Sequence, residues 1–136
     1  MKYVIALAAA LVLNAAANLM MKIGTQPLKG GLMAGGPVGA VLTVLKSPIL
    51  LAGLICFGLN AFFYMFALQS RTLKISLAYP IMTSGGFAII AVVASLAPSL
   101  RERLSLGQWA GVALVLGGVM LIAALTPGSD VAELPG

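Results

Sequence analysis

Residues 49–69 read ILLAGLICFGLNAFFYMFALQ, and after the five residues SRTLK the chain resumes at 75–97 as ISLAYPIMTSGGFAIIAVVASLA. Neither run contains Asp, Glu, Lys or Arg. A helix needs about 20 largely apolar residues to cross the hydrocarbon core of a bilayer, and both runs reach that length. On either side of them, Tyr3 to Met21 and Leu106 to Thr126 have a comparable length and the same lack of charge. Strands are a poor alternative, because the runs lack the alternation of a membrane barrel and an open sheet in lipid leaves backbone groups unpaired. The four stretches predict an all-α integral membrane protein, a four-transmembrane-helix bundle occupying residues 1–126.

Composition points the same way. Of 136 residues, 61% are hydrophobic and 8% charged, against roughly 25% charged in an average soluble domain, and the mean hydropathy is +1.11. The layout of Lys2, an apolar run and Ala15-Ala16-Ala17 is also that of a signal peptide. That run continues through Leu19, Met20 and Met21 to Lys22, however, so it is read as a span. The single cysteine, Cys56, lies mid-span and offers no disulfide or metal cluster, and there is no histidine. Glu102, Asp130 and Glu133, the only acids, all fall outside the spans, which removes paired-carboxylate catalysis and an intramembrane carboxylate relay. An enzyme is therefore disfavoured, and neither a cofactor nor a metal is expected. The net charge of +5 is loop charge beside anionic lipid headgroups, without the interleaved aromatics of a nucleic-acid surface.

The longest connection, Lys22 to Pro48, opens with the loop formers Gly24, Pro27, Gly30 and Gly31. It then passes Gly35-Gly36-Pro37 into Val38, Val41, Leu42 and Leu45, spaced i, i+3, i+4, i+7 behind a helix-starting proline. This predicts a short interfacial helix between the first and second spans, ended by Lys46 and Pro48. Ser70 to Lys74 is a tight turn. Pro98 to Ser105 closes with Ser105 and Gln108, the spacing of a capping box for the fourth span. The tail 127–136 is expected to lack fixed structure. Four spans put both termini on one side, with Lys2, Arg71 and Lys74 facing Lys22, Lys29, Lys46, Arg101 and Arg103 across the membrane. Three against five is a small bias by the positive-inside rule, compatible with insertion both ways.

Polar side chains within a span should face the bundle or a water-filled cavity. Asn14, Asn18 and Lys22 at i, i+4, i+8 form one stripe on the first span, Asn60 and Tyr64 pair at i, i+4 on the second, and Tyr79 and Thr83 do so on the third. These groups could simply tie helices together, at roughly 0.6 kcal/mol each. The first stripe is harder to dismiss, since it ends in a cation able to pair with an anion in a low-dielectric setting, although snorkelling is the ordinary use of such a lysine. Pro80, Gly85 and Gly86 permit a kink or close backbone approach in the third span. Gly107, Gly111 and Gly118 leave a small-residue face on the fourth that suits helix packing.

Asn18-Leu19-Met20-Met21-Lys22, Ser76-Leu77-Ala78-Tyr79-Pro80 and the run from Glu102 to Gly111, ERLSLGQWAG, resemble the small multidrug resistance family of the drug/metabolite transporter superfamily, over residues 1 to about 126. Drug-exporting members of that family carry a glutamate eight residues before the lysine. Asn14 stands there instead, and an amide neither titrates nor holds a cation as a carboxylate does. The chain is more similar to the four-helix flippase subunits that move aminoarabinose linked to undecaprenyl phosphate, which lack that glutamate, keep an amide four residues before the lysine, and have Ala-Tyr-Pro in the third span. This resemblance implies a transporter domain in the bacterial inner membrane that moves a polyprenyl-phosphate-linked sugar and works as a homodimer or as a heterodimer with a similar small subunit. Lys22 would pair with the phosphate, and Asn14, Asn18, Asn60, Tyr64, Tyr79 and Thr83 would hydrogen-bond the sugar. A small-molecule or drug exporter and a non-transporting accessory membrane subunit are the alternatives.

Overall fold

The structure is a computed structural model that describes residues 1–71, 73–100 and 102–126. Thr72, Arg101 and the tail 127–136, expected above to be unstructured, lie outside the described residues. Among the described residues five helices follow one another: α1 (Lys2–Thr25), α2 (Gly36–Lys46), α3 (Pro48–Leu68), α4 (Ile75–Leu96) and α5 (Leu106–Leu125). All but α2 are long and apolar enough to cross a membrane. Among the described residues there is no strand, so the all-α membrane bundle with a shorter helix after the first span is what the chain forms.

Helix ends follow local chemistry. Pro37 sits in the first turn of α2, and extended Ser47 separates α2 from α3, which begins at Pro48 with its Leu50 N–H donating to Ser47 Oγ at 3.4 Å. The capping box is formed in full: Gln108 N donates to Ser105 Oγ at 3.3 Å and Ser105 N to Gln108 Oε1 at 2.7 Å. Ser105→Ala is expected to lower stability by about 1 kcal/mol, read as a lower unfolding midpoint in mild detergent. One boundary differs from the sequence reading. The α1 helix does not stop near Met21 but continues a further turn, with Gly24 helical and buried rather than part of a loop. The Thr25 hydroxyl donates to the Lys22 carbonyl at 3.0 Å, closing that turn. An added Cβ at Gly24 would lie 2.6 Å from Leu50 Cδ2, so a glycine that looks like a loop former serves helix packing.

The hub of the fold is α1, which packs against both α3 and α4, while α5 leans on α4 and α2 on α3. Small residues make this possible. Ala6, Ala10, Ala15 and Ala17 of α1 are buried, and Ala6, Leu7 and Ala10 join Ala67, Leu73, Ala78 and Met82 in one cluster, flanked by Tyr3, Phe63, Tyr64, Leu68 and Ile81. With lipid no less apolar than leucine, such contacts hold by close packing rather than by escape from water. The outer faces remain open: Leu96 and Leu114 are each 76% exposed and Leu106 is 90% exposed. An 18-residue apolar helix surface of this kind requires an apolar solvent, and the chain is a multi-pass membrane protein.

Candidate functional site

On α1 the two amides are coupled. Asn18 Nδ2 donates to the Asn14 carbonyl at 2.8 Å and approaches Asn14 Oδ1 at 3.4 Å. Asn14 is half-buried over α4, where an added Cβ at Gly86 would lie 2.9 Å from its Nδ2, and a Cβ at Gly85 would overlap Leu11 Cδ1. Gly85 and Gly86 are thus the place where α4 comes close to α1, and α4 continues as one helix through Pro80. Asn18 is exposed, and one turn on, Lys22 Nζ meets Glu102 Oε1 at 3.4 Å.

Glu102 lies outside the spans, yet it folds back onto the cationic end of the stripe. A neighbouring bond makes the same connection, from Gln26 Nε2 to the Ser99 carbonyl at 3.3 Å. Sequence spacing gave no hint of it, because 80 residues separate the two partners and only the α1–α4 packing brings them together.

Asn60 and Tyr64 point into the molecule from α3. Asn60 is 5% exposed, and neither Asn60 Oδ1 nor the Tyr64 hydroxyl has a hydrogen-bond partner among the described residues. An unsatisfied buried polar atom costs about 1–3 kcal/mol. Tyr64→Phe, which removes one such atom and little volume, is therefore expected to unfold at the same temperature as the wild type or higher. A fall of more than about 1 kcal/mol would mean that the hydroxyl has a partner after all.

Tyr79 and Thr83 sit elsewhere, in an open groove of about 450 Å³ between α4 and α5, with Pro80, Ser84, Phe87, Val115 and Val119. The Thr83 hydroxyl donates to the Tyr79 carbonyl at 2.7 Å and reaches the Pro80 carbonyl at 3.3 Å, so it is turned back onto its own helix. Within one chain the polar residues therefore lie in three places: the α1 stripe against α4 and Glu102, the inward pair on α3, and the α4–α5 groove. On α5, an added Cβ at Gly111 or Gly118 would meet nothing within 4 Å, and one at Gly107 only its own Ser105 hydroxyl, at 3.9 Å. These glycines are open to the surroundings. Gly118 borders a shallow groove with Gly117, Ala110, Ala113, Leu114 and Leu121.

Chemically the arrangement offers amide and hydroxyl donors and acceptors along apolar helices, with one ammonium at the end of a stripe. Among the described residues no group of three His, Cys, Asp or Glu side chains is placed to hold a metal ion. These features are those of a small multi-pass membrane protein with polar faces along its spans. An uncharacterized protein of Sinorhizobium fredii, y4nH, is 33% identical to the chain over 113 residues, covering 83% of this chain and 93% of its own. The probable 4-amino-4-deoxy-L-arabinose-phosphoundecaprenol flippase subunit ArnE of Pseudomonas fluorescens is 34% identical over 88 residues, 65% of this chain and 73% of its own. The chain belongs to the family of small membrane transporter-like proteins that these relatives represent. No protein-family model and no solved structure matches it.

Proposed function

We propose that this chain is a subunit of a flippase that moves a polyprenyl-phosphate-linked sugar across the bacterial inner membrane. The observation that carries this reading is the α1 stripe, two coupled amides leading to the Lys22 ammonium, in a chain whose spans hold no carboxylate. A stripe of this kind can accompany a phosphate and a sugar, and it has no group with which to exchange a proton for a cationic drug. Likeness to the flippase subunit supports the same substrate class.

In this reading the headgroup passes along polar faces while the polyprenyl tail stays in lipid. Lys22 pairs with the phosphate, and Asn14, Asn18, Asn60, Tyr64, Tyr79 and Thr83 hydrogen-bond the sugar. Pro80, Gly85 and Gly86 are where α4 would bend during the passage. Because the polar faces of one chain are not gathered in a single cavity, a second subunit completes the path, either another copy or a similar small protein. The open glycine face of α5, Gly107, Gly111 and Gly118, is its packing surface. The short α2, with Val38, Val41, Leu42 and Leu45 exposed, lies along the membrane interface.

The test is reconstitution into liposomes with a fluorescent glycosyl polyprenyl phosphate and, separately, a cationic dye, alongside native mass spectrometry of the protein in gentle detergent. The expected result is protein-dependent movement of the lipid, none of the dye, and an anionic lipid retained on a dimer. Dye transport without lipid transport would establish a drug exporter instead. Movement of neither, with and without the partner subunit, would establish an accessory role.

A further inference from the structure

Lys22 and Glu102 are 57% and 47% exposed across their 3.4 Å contact. An ion pair so open to its surroundings is weak and easily exchanged. Glu102 also lines, with Arg103, Ser95, Leu96, Ala97 and Pro98, a cavity of about 500 Å³ beside the end of α4. One carboxylate thus stands between two cations, touching the first and sharing a cavity wall with the second.

We propose that this cavity is the docking site of a lipid-borne phosphate, with Glu102 as the competing anion that must yield Lys22 and Arg103 as the second cation that receives the phosphate. It rests on the reading that Lys22 meets a lipid phosphate, and it adds two residues, Glu102 and Arg103, to which no role has been given. The physical case is one of exchange. A phosphate offers more charge and more acceptor oxygens than a carboxylate, and a guanidinium can take two of those oxygens at once. A phosphate bridging Lys22 and Arg103 therefore displaces a partner that holds Lys22 through a single, screened contact. Glu102 sets how tightly the lipid is held and keeps Lys22 from retaining it.

Undecaprenyl phosphate binding to the full chain in nanodiscs distinguishes the possibilities. Glu102→Gln removes the competitor and is expected to tighten the apparent Kd by about two- to five-fold, the range an exposed ion pair supports. Glu102→Asp, which keeps the charge, should stay near the wild type, and Arg103→Gln should weaken binding by a similar factor. Inorganic phosphate at the same concentration should compete poorly. Unchanged or weaker binding by Glu102→Gln, with Lys22→Ala still deficient, would overturn the role of Glu102 and leave the flippase reading standing. Equal binding by wild type and Lys22→Ala would overturn this docking site together with the pairing of Lys22 and the phosphate. Inorganic phosphate competing as well as the lipid would overturn the lipid as the source of the anion.

Discussion

Lys22→Ala is expected to weaken undecaprenyl phosphate binding by about ten- to a hundred-fold, since a hydrogen bond to a charged group contributes roughly 1.5–3 kcal/mol. The fold should not suffer. Lys22 is exposed, its pair with Glu102 is open to the surroundings, and the net contribution of such a pair is about 0.2–1 kcal/mol. An unfolding midpoint close to that of the wild type, together with lost lipid binding, is the outcome that assigns Lys22 to the ligand. Lys22→Arg, which keeps the charge, is expected to retain most of the affinity. If the alanine variant binds as the wild type does, Lys22 merely reaches toward the membrane surface, and the phosphate must be held elsewhere.

Gly53→Val is expected to damage the fold. A Cβ at Gly53 would lie 3.2 Å from Met20 Cβ and Met21 Cγ and 3.3 Å from the Ala17 carbonyl oxygen. The Met21 side chain can give way, but Met20 Cβ and the Ala17 carbonyl are fixed by the backbone of α1 and cannot. Valine adds two further carbons to that crowded seam. Overpacking of this kind costs about 1–3 kcal/mol, and here it falls where α1 and α3 meet. Gly58→Val on the same helix is the control, since a Cβ there meets nothing within 4 Å and the change should stay within about 0.5 kcal/mol. Comparable unfolding midpoints for the two variants in detergent would refute the tight α1–α3 seam.

The four spans were legible because lipid imposes length and apolarity on every crossing segment, and the starts of α2 and α5 were legible because Pro37 and the Ser105–Gln108 pair act within a single turn. The end of α1 was not legible. Gly24 carries the composition of a loop, and only Leu50, 26 positions away, makes it a packing residue. The site divides along the same line. The stripes at i, i+4 are properties of one helix and could be read directly, so Asn14 and Asn18 do lie on one face and hydrogen-bond. Which stripe faces which partner depends on helix pairing, and the sequence carries no periodic signal for that. Hence the placement of Tyr79 and Thr83 in the α4–α5 groove, apart from Asn60 and Tyr64, and the return of Glu102 to Lys22 emerge only from the packed chain. Gly85 and Gly86 were marked as a bend or a close approach, and it is against Leu11 and Asn14 that they are found.

The central place of α1 bears on how the protein is made. Both neighbours of α1, α3 and α4, are encoded downstream of it, so part of its alanine face is covered by α3 first and the remainder waits in the membrane for α4. The situation of α5 is the opposite: it packs on α4, which precedes it, and can be added once α1, α3 and α4 have come together. Burial of the α1 face is therefore complete only when α4 arrives, and a chain truncated before that helix would leave the α4-facing side of α1 uncovered.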